Sequence, residues 1–230
     1  MKQLVNNPKA LTGKNLVNAK LTRLNLIVGL VLITTLYSFG QSSHVAVVVT
    51  TTDVNFNYGG KNSELKSSKE NVRALRAGLA FQAGVTKHFS WVGEFYYATK
   101  GGTLSAGNGL TQDKSTLKLY SAELPLMARV HVGRFYLNSG PYASYIFSGR
   151  MTTSGPEAGR VSFNNTDGFK RFDWGWQAGA GYVFDVKKSK LAIDVRYGHG
   201  LTSLSRDITR YNQMLSISVS MFKPFKKNIL

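Results

Sequence analysis

Four histidines, His44, His88, His131 and His199, are the first candidates for metal binding or acid–base work. A zinc centre or a catalytic dyad needs further ligands or a base brought to the same face. On an extended strand, residues an even number apart share a face. No histidine gains a second His, Asp or Glu at a metal-like spacing of that kind, and Asp194 and His199 have opposite parity. His199 with Ser203, four residues on, is a candidate pair for a lipid hydrolase, whose nucleophile needs its base within hydrogen-bond reach. Glu94 and Glu123 are candidate paired carboxylates. There is no cysteine, which excludes disulfides and thiolate metal sites. "GGKNSE" and "SAGNG" lack the strand–helix context of a phosphate loop. The expectation is a protein that is not an enzyme, with no catalytic, cofactor or metal residues.

The formal charge of +17 invites a nucleic-acid reading, but its distribution opposes it. Lys2, Lys9, Lys14, Lys20 and Arg23 fall in the first 40 residues, where there is no acid. Many other lysines, including Lys61, Lys66, Lys87, Lys100, Lys114, Lys187 and Lys188, fall where turns and loops are expected. No basic recognition helix or aromatic-plus-basic module appears, so nucleic acid is not an expected partner. The basic N-terminus runs into "LNLIVGLVLITTLYSFGQ", whose apolar core Leu26–Leu36 is short for a membrane span. Ser38 and Gly40 occupy small-residue positions of a cleavage site. A signal peptide over 1–40, cut near Gly40, and a β-barrel domain over 41–230 are expected. A retained N-terminal anchor is the alternative.

From Ser43 on, period-two alternation recurs and predicts eight strands: His44–Tyr58, Arg73–Thr86, Ser90–Thr99, Thr116–Val132, Phe135–Phe147, Phe172–Val186, Leu191–Thr202 and Tyr211–Phe222. The "VVVTTTD" run in the first is a candidate bulge. Long connections alternate with short ones along the chain, the pattern of long outer loops and tight periplasmic turns. The fold class expected is all-β: an eight-stranded antiparallel up-and-down transmembrane β-barrel preceded by a signal peptide.

Alternation alone does not say which face is inside. The polar face decides it, because it is built from Gly78, Gln82, Gly84, Asn138, Gly140, Ser144, Gly175, Gly179 and Ser218 rather than from lysine and glutamate. Such a face suits the cramped lumen of a narrow barrel. Glu94, Glu123, Arg129, Asp173, Asp194 and Arg196 share that face, and are expected to form a lumen network with Gln177, Tyr96 and Tyr120. On the other face, Trp91, Tyr97, Tyr145, Trp174, Trp176, Tyr182, Phe184 and Tyr197 are expected at the membrane interfaces, with Leu, Ile and Val between them.

"FSWVGEFYYATKGG", "LKLYSAELPLMARV", "FYLNSGPYASYIF", "FDWGWQAGAGYVF" and "LAIDVRYGHGLTSL" resemble successive strands of the PorT-like outer-membrane β-barrel domain of Bacteroidetes, over about Ser43 to Phe222. The chain departs from that pattern after Phe222, where "KPFKKNIL" continues, so that Phe222 or Phe225 is the expected closing aromatic. The resemblance implies an eight-stranded outer-membrane barrel in a Bacteroidetes-like, Gram-negative envelope, and PorT itself is associated with type IX secretion. Expected partners are outer-membrane lipid, the barrel-insertion machinery and a secretion-machine or surface partner. The alternatives are a secreted soluble barrel binding an apolar ligand, and the outer-membrane lipid hydrolase built on His199.

Overall fold

The computed structural model describes residues 43–110, 112–153, 159–163 and 168–223. The leader expected over 1–40, and Phe225, lie outside the described residues. In chain order the strands are β1 (His44–Tyr58), β2 (Lys69–Glu70), β3 (Val72–Gly84), β4 (Phe89–Leu104), β5 (Ser115–Val132), β6 (Phe135–Thr152), β7 (Gly159–Arg160), β8 (Phe172–Val186), β9 (Ser189–Ser203) and β10 (Arg210–Phe222). β2 and β7 are two-residue ribbons on β4 and β6. The other eight pair antiparallel in sequence order, and β1 closes on β10, so no strand edge is left with unpaired backbone groups facing lipid.

Both ends of the closed sheet follow from the connections. The turns 85–88, 133–134 and 187–188 lie at one end with His44 and Phe222, and the longer connections lie at the other. By the usual orientation of such barrels, the short turns are periplasmic. Gly133 has φ 63°, which a two-residue turn demands and a side chain resists. Phe222 ends β10 with its ring stacked 3.7 Å from His44, so the last strand's aromatic locks onto the first strand's start.

The wall departs from regularity at four places. The run "VVVTTTD" in β1 pairs without a register shift, so the bulge expected there is absent. An isolated strand pattern cannot show which partner carries an extra residue. Register shifts fall instead between β5 and β6 at Tyr120/Ser121, and between β9 and β10 at Tyr211/Gln213. Prolines make the other two. The β4–β5 ladder skips Glu94 and Phe95 opposite Leu124 and Pro125. The β5–β6 ladder skips Leu126 and Met127 opposite Gly140 and Pro141. Proline carries no N–H, so each site loses a ladder donor at mid-strand.

β4 and β6 run several residues beyond their expected ends, to Leu104 and Thr152. These extensions carry a lid. Phe56, Tyr58, Leu65, Leu104, Leu117, Leu119, Ile146, Phe169 and Leu204 form one buried apolar cluster, joined by Met151, Val161, Phe163 and Ile208. Leu65 comes from the 3₁₀ segment Gly60–Ser68, and Phe169 and Leu204 come from the connections after β6 and β9. Backbone bonds from Ser105 N to Ser68 O and from Lys170 N to Leu204 O, both 2.8 Å, tie these connections together. These described parts of the connections are therefore packed over the barrel's outer end.

A side-chain link on that surface makes a testable point. Glu70 accepts from Lys114 Nζ at 2.6 Å and from Ser105 Oγ at 2.7 Å. The Lys114 bond first, then the Ser105 bond, hold the Glu70 carboxyl below the usual carboxylate range. A depressed folded value means the link contributes above the ordinary carboxylate pKa and is lost as pH falls through the lowered value. In an NMR titration of the folded protein in micelles, the Glu70 carboxyl should titrate at lower pH than in a Lys114→Ala variant. Identical midpoints would show that the link is not formed in solution.

Candidate functional site

The lumen holds two polar clusters, stacked along the barrel. In the one nearer the lid, Glu123 of β5 accepts from Arg76 Nη2 at 2.6 Å, Lys100 Nζ at 2.8 Å and Gln177 Nε2 at 2.8 Å. Lys100 also reaches Asp173 Oδ2 at 2.9 Å, and Tyr142 donates its hydroxyl to the same oxygen at 3.0 Å. Thr202 donates to Asp173 Oδ1 at 2.9 Å. Two rings support the cations: Arg76 lies 4.5 Å from the Tyr96 ring centroid and Lys100 4.4 Å from that of Tyr142.

In the periplasmic cluster, Arg196 of β9 forms a two-pronged pair with Glu94, at 2.5 and 2.9 Å. Its Nε stands 2.5 Å from Asp194 Oδ1, and Asp194 Oδ2 accepts from Asn138 Nδ2 at 2.8 Å. Arg129 of β5 donates to Gln82 Oε1 at 2.9 Å and lies over the Tyr136 ring at 4.0 Å. All seven residues expected in the network, Glu94, Glu123, Arg129, Asp173, Gln177, Asp194 and Arg196, are buried on the inner face.

Tyr120 does not join them. It lies three residues from Glu123, on the opposite parity, and its ring packs 6.3 Å from Tyr97 on the outside. Lys100, read as a loop residue beside Gly101 and Gly102, is instead 1% exposed in the lumen. The lengthening of β4 carries it inside. Arg76 and Tyr142 were also missed, although Arg76 has the parity of Gly78 and Gln82, and Tyr142 that of Asn138 and Ser144. Their inward direction was thus available from alternation alone.

The glycines on this face are spaces for those side chains. A Cβ at Gly181 would stand 2.2 Å from the Tyr136 ring, and one at Gly198 would stand 2.4 Å from Met214 Cε. Each of the four lumen carboxylates touches a cation, so none is positioned as a free acid or base. Among the described residues, no group of three or more His, Asp or Glu could hold a metal. Ser203 donates to the Ser205 and Ile208 carbonyls at 3.0 and 3.3 Å, while His199 packs beside the Tyr211 ring at 6.2 Å. The hydroxyl is thus committed to the loop and not to His199.

The outer face is mainly apolar between the barrel's two ends. Leu79, Leu124, Leu126, Leu137, Val195, Leu215, Ile217 and Val219 are exposed along the middles of the strands, Leu126 at 53%. Toward the periplasmic turns, Phe89 contacts Trp91, and Tyr182 contacts both Phe135 and Phe184. Toward the lid, Tyr97 contacts Phe147, and Tyr145 contacts Phe172. Trp174, Trp176 and Tyr197 also face outward. Trp176 Nε1 donates to Ser139 Oγ at 2.8 Å, and the Tyr197 hydroxyl accepts from Gln213 Nε2 at 2.8 Å. Those two polar tips are satisfied by protein and do not depend on water.

Residues 39–206 match the model of the outer membrane protein beta-barrel domain. No curated protein matches the chain. Among solved structures, it is similar to Ail, the attachment invasion locus protein of Yersinia pestis, at 8% identity and TM-score 0.44, covering 79% of this chain and 99% of that one. It is similar to Neisserial surface protein A at 10% identity and TM-score 0.44, covering 79% and 97%. It is also similar to the outer membrane protein AlkL at 17% identity and TM-score 0.42, covering 84% and 94%. The domain match covers well over half of the chain, and its strands close into an eight-stranded barrel with an apolar exterior. The chain belongs to the outer membrane protein beta-barrel domain family, and its place is the outer membrane of a Gram-negative bacterium.

Proposed function

We propose that the mature protein, residues 41–230 after cleavage near Gly40, is a non-enzymatic membrane scaffold that conducts no solute and serves an envelope-assembly or secretion machine. The observation that carries this reading is the filled lumen: among the described residues, two ion-pair clusters occupy the interior of an eight-stranded wall beneath an apolar lid. Barrels of this width are filled by side chains, whereas solute channels belong to wider ones. The polar residues from Glu94 to Arg196 act as the internal brace. Trp91, Tyr182 and Phe184, with Tyr97, Tyr145, Trp174, Trp176 and Tyr197, serve as the two interfacial belts. The PorT-like strand motifs favour a secretion-machine partner in a Bacteroidetes-like envelope, with barrel-insertion machinery needed for biogenesis. A secreted soluble barrel would require the apolar face to point inward, and the exposed Leu126 and its neighbours oppose that.

Affinity capture of the intact membrane complex tests the role. Recovery of envelope or secretion components with the barrel supports it, and recovery of the barrel alone, with no secretion or envelope defect on deletion, overturns it. The membrane placement has its own test. Ile217 is 49% exposed at mid-strand, between Thr51 and Val195. Ile217→Arg should destabilise the bilayer-inserted barrel by about 2–4 kcal/mol, the cost of a cation near the midplane. Leu110→Arg, in the loop after β4, should leave stability unchanged. Equal stabilities for the two variants would contradict a lipid-facing Ile217.

A further inference from the structure

The two ends of the lumen differ in kind. Among the described residues, the outer end is covered by the apolar lid, while the periplasmic end opens into a cavity of about 250 Å³. Its floor is Arg129, 7% exposed. One guanidinium nitrogen is used by Gln82 and one face by the Tyr136 ring. The Nε–H is itself buried and has no partner among the described residues, and Arg129 makes no ion pair there. The acids above it, Glu94 and Asp194, are both held by Arg196. That triad carries one net negative charge, which balances Arg129 from a distance without giving its Nε–H an acceptor. The rim carries Lys87, Arg134 and Lys190, with Asp185 as the acid among the cavity's described lining residues. Asp185 is shared between Arg134 at 2.9 Å and Lys190 at 3.3 Å, leaving an excess of two positive charges around the opening.

We propose that this periplasmic mouth binds a phosphate group, supplied either as a free ion or by the headgroup of an anionic phospholipid. A guanidinium among the lining residues, with Lys87, Arg134 and Lys190 around the opening, suits a compact dianion with several acceptor oxygens. The cavity is large enough for a phosphate with several waters, each taking about 30 Å³. The lid makes the periplasm the side from which the ion enters. This site is independent of whether the barrel serves a secretion machine, and its test does not involve that role.

The experiment uses the full folded barrel in neutral detergent, with inorganic phosphate as the first probe. Saturable movement of the Arg129 Nε–H resonance in NMR, with matching heat in calorimetry, is expected. Arg129→Gln should weaken binding about tenfold or more, the loss of a charge-assisted hydrogen bond. The double variant Lys87→Gln, Lys190→Gln leaves the lumen clusters untouched, and should weaken binding several-fold even where Arg129→Gln fails to fold. Nanodiscs of neutral lipid with and without phosphatidylglycerol distinguish the source. A response to free phosphate in neutral lipid assigns the ion. A response confined to phosphatidylglycerol nanodiscs assigns the headgroup. No saturable response in either, or a response unchanged in the rim double variant, overturns the proposal.

Discussion

Glu123→Ala should destabilise the barrel by about 3–5 kcal/mol, the usual cost of removing one partner from a buried ion pair. Glu123 is 1% exposed and accepts from two cations and an amide at once. With the carboxylate gone, Lys100 keeps Asp173 at 2.9 Å. Among the described residues, Arg76 then keeps the Met214 sulfur at 3.2 Å and the Tyr96 ring. A guanidinium in that position has lost its counter-charge without regaining water, and that deficit dominates the cost. Replacing both members of the pair should be milder, because Arg76→Met with Glu123→Met exchanges a pair for packed apolar groups. The double variant should therefore be more stable than Glu123→Ala alone, although it carries more changes. Urea unfolding in neutral detergent, followed by tryptophan fluorescence and the heat-dependent gel shift, measures all three. An unfolding midpoint for Glu123→Ala equal to that of the parent would remove the brace as a source of stability.

That brace also shows how far the sequence can be read. Parity placed the six mid-strand charges on one face, and the glycine and serine around them said the face was inner. Both readings need only the period of two and the volume of a narrow lumen. Arg76 obeys the same rule and was overlooked. Lys100 is different. Its strand continues through Gly101 and Gly102, residues that depress strand propensity, because β4 pairs with β5 as far as Leu104 opposite Ser115. Tertiary pairing there overrides local preference. The lid was illegible for a related reason. Leu65, Phe169 and Leu204 stand alone in polar connections, with no periodic pattern, and only the fold shows that they converge. The ladder gaps at Pro125 and Pro141 lie between these cases. The missing N–H is evident in the sequence, but whether a strand runs through the proline is settled by its neighbours.

The strand β8, "FDWGWQAGAGYVFDV", supplies the strongest test of lumen packing. A Cβ added at Gly179 would stand 2.3 Å from the Val195 carbonyl oxygen and 2.6 Å from Arg196 Cγ. The first obstacle is backbone of the neighbouring strand, which cannot turn aside as a side-chain end can. The second belongs to the arginine that grips Glu94, so relief by moving it would strain the periplasmic cluster. Gly179→Ala should thus cost at least about 1–3 kcal/mol, the usual range for overpacking, and Gly179→Val should prevent the compact, heat-modifiable form. Gly93 provides the control on the same barrel, since a Cβ there meets no heavy atom within 4 Å. Gly93→Ala should stay within about 0.5 kcal/mol of the parent, as surface substitutions do. Equal folding yields and midpoints for the Gly179→Ala and Gly93→Ala proteins would mean that β8 and β9 do not approach as closely as their pairing requires. A selective loss at Gly179 would instead trace the glycine-rich face to the space taken by the arginine beside it.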